Sequence, residues 1–321
     1  MPTIGYHASH EQFAPGELLD YVRAAEAAGF TAAMCSDHLY PWSGQQGQSG
    51  FAWAWLGAAL QATELPMGVF NAPGYRYHPA IIAQACATLA AMYPGRFWIA
   101  VGSGEALNEY VTGEDWPDKA ARNARLKECV DVMRALWAGE TVNHRGHVTV
   151  REAKLYTRPA EPPKIIGGAL TPATAEWMGG WADGLVTASA PMEQLRQIVE
   201  AFRRGGGADK PLYLQVKLAY GPSDKAARQA AYEQWRTNIF PSSVLATLRS
   251  VAEFEATATH VRPEDMDRFV HISADLGRHR AWLAEYLDLG FEQLFLHNVT
   301  REQRGFIEAF GAEVLPALKG R

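Results

Sequence analysis

Short apolar runs recur along the chain, and each is followed by a longer stretch whose apolar residues return at helical spacing. That alternation is the signature of repeated βα units around a parallel sheet. Strands are predicted over Ile4 to Ala8, Thr31 to Ser36, Leu65 to Phe70, Arg96 to Val101, Lys164 to Gly168, Gly184 to Ala188, Leu212 to Ala219 and Glu292 to His297. Helices are predicted between them. Pro15 opens the first and Gly29 stops it, while Pro79 stands in the first turn of another. Eight strands, each followed by a helix, predict an α/β fold of one domain over residues 1–321, a closed (β/α)8 TIM barrel. Two insertions interrupt the rhythm. Residues 139–163 are polar, with Val148-Thr149-Val150 as one arm of a small hairpin, and residues 223–275 read as helical.

A chain of 321 residues is long for one core, but barrels of this kind routinely reach that size. The formal net charge of −5 and scattered Lys and Arg argue against nucleic acid or an anionic membrane as partner. Cys35, Cys86 and Cys129 lack disulfide or zinc spacing, so a reducing compartment is expected. The opening Met1-Pro2-Thr3-Ile4 shows no secretory pattern, and no apolar run approaches the roughly 20 residues of a membrane helix. A soluble, cytoplasmic protein is the expectation.

Barrels of this class gather chemistry at the strands' C-terminal ends. Asp37 and His38 stand at the end of the second strand, with Trp42 just beyond. Glu105 and Asn108 follow the fourth, Gly167, Gly168 and Ala169 the fifth, and His297 and Asn298 the eighth. Glu11 follows the first. Each has a structural explanation alone, as cap, turn residue or rim lid; their convergence on one face points to a site. A bare Gly-Gly-Ala before a helix suits a phosphate. Gly102-Ser103-Gly104 lacks the third glycine of a dinucleotide fingerprint. No spacing argues for a metal site, so none is expected. Lys217 is the one serious Schiff-base candidate, and a structural role is the stronger reading for it.

At these residues the chain resembles the luciferase-like superfamily of flavin and F420-dependent oxidoreductases, closest to the branch of F420-dependent glucose-6-phosphate dehydrogenases. The likeness runs nearly end to end. It is carried by Gly5-Tyr6, Ala8-Ser9 and Glu11-Gln12-Phe13, then Ser36-Asp37-His38 with Pro41-Trp42. It continues in Arg76-Tyr77, Pro79-Ala80, Tyr93-Pro94-Gly95-Arg96 and Gly104-Glu105-Ala106-Leu107-Asn108-Glu109, and ends in His297, Gln303-Arg304 and Phe306.

The resemblance implies a hydride-transferring enzyme using FMN or coenzyme F420, with FMN put slightly first. It assigns His38 as acid/base, assisted by Trp42, Glu105 and Glu11. Asp37 would meet the cofactor ring and Asn108 its ribityl or phosphate part. Gly167, Gly168 and Ala169 would cradle its phosphate. Val69-Phe70 would form a non-proline cis peptide against the ring. The resemblance also implies a small-molecule substrate, a separate flavin or F420 reductase, and a homodimer. Two departures stand out: Pro191 and Asp267 occupy places where the sugar-phosphate enzymes carry lysines. Their loss argues against glucose 6-phosphate. Two alternatives stay open, a reduced-FMN monooxygenase and a non-catalytic flavin-binding barrel.

Overall fold

The computed structural model describes residues 2–319. Strand β1 (Thr3–Ala8) leads into α1 (Pro15–Ala27), whose Leu18, Tyr21, Val22 and Ala25 face inward, and Gly29 at φ 98° turns the chain out of it. Next come β2 (Ala32–Ser36), α2 (Ala52–Ala62), β3 (Met67–Asn71), α3 (Pro79–Met92) and β4 (Phe97–Val101). The short α4 (Ala106–Glu109) lies on the rim. Then α5 (Lys119–Ala138) starts where Asp118 accepts a hydrogen bond from the Ala121 amide at 2.9 Å and stops at Gly139, φ 91°.

An antiparallel pair, β5 (Val142–Arg145) and β6 (Thr149–Ala153), forms the predicted hairpin. The barrel resumes with β7 (Ile165–Gly168), α6 (Pro172–Gly179), β8 (Gly184–Ala188), α7 (Met192–Phe202) and β9 (Leu212–Tyr220). The insertion holds α8 (Asp224–Trp235), α9 (Ser242–Leu245) and α10 (Val251–Thr257). It is not helical throughout. It ends in β10 (His271–Ser273), which pairs in parallel with Leu218 to Tyr220 of β9 as an extra strand. The chain closes with α11 (Leu276–Asp288), β11 (Gln293–Asn298), α12 (Gln303–Ala309) and α13 (Leu315–Leu318).

Strands β1, β2, β3, β4, β7, β8, β9 and β11 pair in parallel, and the β8–β9 pairing shuts the ring. This is the expected (β/α)8 barrel. Side chains alternate along every strand. Outward-facing Leu212, Leu214 and Val216 join the apolar layer beneath the helices, while Tyr213 packs inside with Trp98 and Phe295.

The expected cis bond is absent: all peptide bonds among the described residues are trans, Val69–Phe70 included. Both residues sit in continuous ladders, Val69 between Cys35 and Ile99, Phe70 between Ser36 and Ala100. The Phe70 carbonyl also accepts the Asp37 amide at 3.1 Å. Regular strand pairing on both sides holds this peptide extended.

Candidate active site

Three aromatic rings make the floor of the barrel. Trp98 lies 5.2 Å from Tyr213 and 5.5 Å from Phe295, ring centre to ring centre. Room for them comes from missing side chains. A Cβ on Gly68 would stand 2.1 Å from the Trp98 ring, and one on Gly5 would stand 2.5 Å from Phe295. Above them lies a polar layer of His7, Gln215 and His297. The Gln215 amide nitrogen is 3.2 Å from His7 Nε2 and 3.4 Å from His297 Nδ1. On its far side His297 Nε2 donates to Gln12 Oε1 at 3.1 Å, which fixes its tautomer. Burial pushes His7 down to about 4 and holds His297 well below its usual value too. Both imidazoles are therefore neutral at ordinary pH.

The mouth carries the ionic groups. Glu11 is fully buried and accepts from Ser9 Oγ at 2.8 Å and Ser36 Oγ at 2.5 Å. Its Oε1 lies 3.3 Å from His38 Nδ1, close enough for charge attraction but off the line of a hydrogen bond. Burial pushes the Glu11 carboxyl up, but His38 and the hydrogen bonds from Ser36, its own amide and Ser9 outweigh it. The group titrates below the ordinary carboxylate value and is an anion. The His38 ring stands edge-on to Trp42 with centroids 4.4 Å apart. The Trp42 indole donates to Glu105 Oε2 at 3.3 Å. Thus Glu11, His38, Trp42 and Glu105, which belong to three different βα units, meet on one side of the rim.

Asp37 is enclosed by protein donors. Trp53 Nε1 at 3.1 Å and Asn71 Nδ2 at 2.7 Å reach one oxygen, and the Tyr77 hydroxyl at 3.1 Å reaches the other. Arg76 lies 3.5 Å from that second oxygen and donates to the Asp37 carbonyl at 2.6 Å. The same guanidinium stands 3.7 Å from Glu109, whose carboxyl accepts the Arg76 amide at 2.9 Å. Burial raises Glu109 to about 7, with Arg76 holding it back from rising more. Asn108 is buried, and its side-chain oxygen accepts the amides of Leu39 at 2.8 Å and Tyr40 at 3.3 Å. The β2 and β4 ends are therefore laced together.

The glycines after β7 serve packing first. A Cβ on Gly168 would come 2.3 Å from the Phe70 ring, and one on Gly167 would come 2.7 Å from Met178 Sδ. The Ala169 amide is engaged with the Val186 carbonyl at 3.0 Å. Just beyond, the start of α6 carries other donors. Thr171 caps it, Lys119 Nζ donates to Thr174 Oγ1 at 2.8 Å, and Thr174 and Thr171 hydroxyls lie 3.0 Å apart. One turn along α5, buried Arg122 leaves its Nε without a partner. This donor set fits the phosphate end of a flavin-type cofactor.

Residues to which the sequence reading gave no role join the site: His7, Gln215, Trp53 and Trp235, and also Arg76 and Glu109, which it quoted only as motif positions. Trp235 stacks edge-on against Trp42 at 5.3 Å and His297 at 4.7 Å. The period-two phase of β9, with Tyr213 inward, was the signal available for Gln215 and Lys217. Among the described residues no helix is long and apolar enough to cross a membrane, and no cluster of three His, Cys, Asp or Glu could hold a metal.

A family profile described as luciferase-like monooxygenase matches residues 1–293. The F420-dependent glucose-6-phosphate dehydrogenase of Microbacterium testaceum is 36% identical over 99% of this chain and 98% of its own. The structure of an F420-dependent secondary alcohol dehydrogenase in complex with an F420-acetone adduct superposes with a TM-score of 0.91 at 30% identity, covering 99% of both chains. The coenzyme F420-dependent tetrahydromethanopterin reductase from Methanopyrus kandleri shares the fold at a TM-score of 0.78 and 19% identity, over 98% of this chain and 99% of its own. The chain belongs to the luciferase-like monooxygenase family and is an oxidoreductase enzyme.

Proposed function

We propose that this protein is an F420-dependent dehydrogenase that interconverts a small alcohol and its carbonyl partner. The observation that carries the reading is the Glu11–His38 pair at the floor of the mouth. Nδ1 of His38 faces a buried carboxylate, so Nε2 is the nitrogen turned toward a bound alcohol. As the carbinol carbon gives up a hydride, the hydroxyl proton would pass to that nitrogen and a C=O bond would form, and the Glu11 anion would stabilise the imidazolium formed. The cofactor supplies a two-electron hydride acceptor when bound. Trp42, pinned by Glu105, keeps the His38 ring from turning.

F420 rather than FMN is supported by the names of the relatives, which moves it ahead of the order suggested by the sequence alone. The cofactor phosphate is assigned to the Thr171, Thr174 and Lys119 donors beside Gly167-Gly168-Ala169, and its ring to the space bounded by Asp37, Phe70 and Asn108. Glucose 6-phosphate is set aside as substrate. Pro191 offers no cation at the end of β8, and Asp267 is taken up in a surface ion pair with Arg228 at 3.0 Å. The same reading has the chain act as one barrel domain, as a homodimer, with a separate reductase turning the cofactor over. Three buried, unpaired thiols support a cytoplasmic home.

The test is His38→Ala assayed with F420 and a panel of secondary alcohols. The expected result is a fall in kcat of roughly 10² to 10⁴ with F420 affinity unchanged. Unaltered turnover, or oxygen consumption with reduced FMN in place of alcohol oxidation, would overturn the reading.

A further inference from the structure

The ionic groups on the rim are paired, with two exceptions. Asp37 and Glu109 share Arg76, and Glu11 has His38. Lys217 has no carboxylate within ion-pair distance among the described residues, and neither has Glu105 any cation. Glu105 is held instead by the Trp42 indole.

Lys217 sits inside the barrel. It follows Tyr213 and Gln215 on the inward phase of β9, opposite His297 of β11. Its Nζ lies 5.9 Å from the centre of the Trp235 ring, the same ring that meets Trp42 and His297 edge-on. So one indole separates the ammonium from Trp42, and Trp42 touches His38. The backbone amide of Lys217 is tied to Ser189 Oγ at 3.1 Å, which fixes the strand beneath it. Burial pushes its ammonium down to about 8, with Glu105 pulling it partly back, so it remains a cation at neutral pH. A half-buried cation with no counter-ion in contact is costly unless a ligand supplies one.

We propose that Lys217 anchors a carboxylate on the substrate, so that the alcohol handled at His38 is a small hydroxy monocarboxylic acid. The inference rests on the dehydrogenase reading above and names its substrate class. One anion is what the rim can neutralise. Lys217 is a single charge, Arg76 is already shared by two carboxylates, and the positions of Pro191 and Asp267 add no second cation to the mouth. In the reaction the carbinol C–H bond breaks as hydride passes to oxidised F420, and the hydroxyl proton passes to His38. A C=O bond forms and the carboxylate stays intact on Lys217, giving an oxo acid.

The experiment measures binding without turnover. Two tertiary hydroxy acids that cannot be oxidised, 2-hydroxy-2-methylpropanoate and 3-hydroxy-3-methylbutanoate, are titrated calorimetrically against the protein with and without F420. Their primary amides serve as neutral isosteres. At least one acid should bind roughly 10- to 100-fold more tightly than its amide, the range for a charge-assisted contact. Lys217→Met should abolish that preference, and Lys217→Arg should retain part of it. Lys217→Gln is a second neutral variant should the Met protein fail to fold, judged by circular dichroism. Equal binding of acids and amides, absence of acid binding, or a preference that survives in Lys217→Met or Lys217→Gln would each overturn the proposal. None of those outcomes touches the His38→Ala test with neutral alcohols, so the two failures can be told apart.

Discussion

At the scale of single residues, the site works through partners rather than through lone groups. Glu11 is an anion because four favourable contacts outweigh its burial, and only an anion stabilises a proton taken up by His38. Glu11→Gln keeps the shape and removes the charge. It should lower kcat by about 10²-fold while leaving cofactor affinity alone, measured by steady-state kinetics beside a binding titration. The motif residues Asp37, His38, Trp42, Glu105, Asn108 and Glu11 were all legible in the sequence as a cluster at one rim. What they touch was not. Asp37 stood out as a ring contact, yet Trp53, Asn71, Tyr77 and Arg76 occupy its oxygens. Lys217 read as structural because the meaning of a lysine in a strand depends on which way the pleat points it.

At the scale of elements, the strands were legible to within about two residues, because buried parallel strands are continuous apolar runs. The short α4 and the added strand β10 were not. A four-residue helix has too few turns to show a period, and β10 is held by its pairing with β9 rather than by its own three residues. The trans Val69–Phe70 bond has the same lesson: two ladders govern that peptide. Interior glycines carry a further consequence. Gly68 makes way for the Trp98 ring, so Gly68→Ala should destabilise the protein by about 1 to 3 kcal/mol. Pairing it with Trp98→Leu should cost less than the sum of the two single changes. Urea denaturation of the wild type, both single variants and the double variant measures the coupling; strict additivity would contradict the packing described.

At the scale of the whole molecule, the barrel buries several histidines as neutral rings. Burial holds His7, His10 and His271 near 4, against a usual 6.5. Their folded values lie below the unfolded one, so the stability they contribute is whole above pH 6.5 and is lost as pH falls toward 4. Each should account for about 1.5 kcal/mol lost between pH 6.5 and 5. Glu109 runs the other way. Its folded value near 7 lies above the unfolded one, so its contribution is whole below the unfolded value and fades as pH rises through 7. The guanidinium denaturation midpoint should therefore be low at pH 5, climb steeply through pH 6.5 and level off above pH 7, where the loss at Glu109 cancels the last gain from the histidines. A flat profile from pH 5 to 7 would mean that the rings are not buried as neutral species.

Arg76 has a consequence for how such a catalyst can diversify. From the loop after β3, one guanidinium clasps carboxylates of the loops on either side, after β2 and after β4, while Asn108 holds the backbone at Leu39 and Tyr40. The exposed side chains of Leu39 and Tyr40 lie outside that clasp. New specificities can be sampled there without loosening the proton-handling machinery beneath, whereas a change at Arg76 would slacken both loops at once.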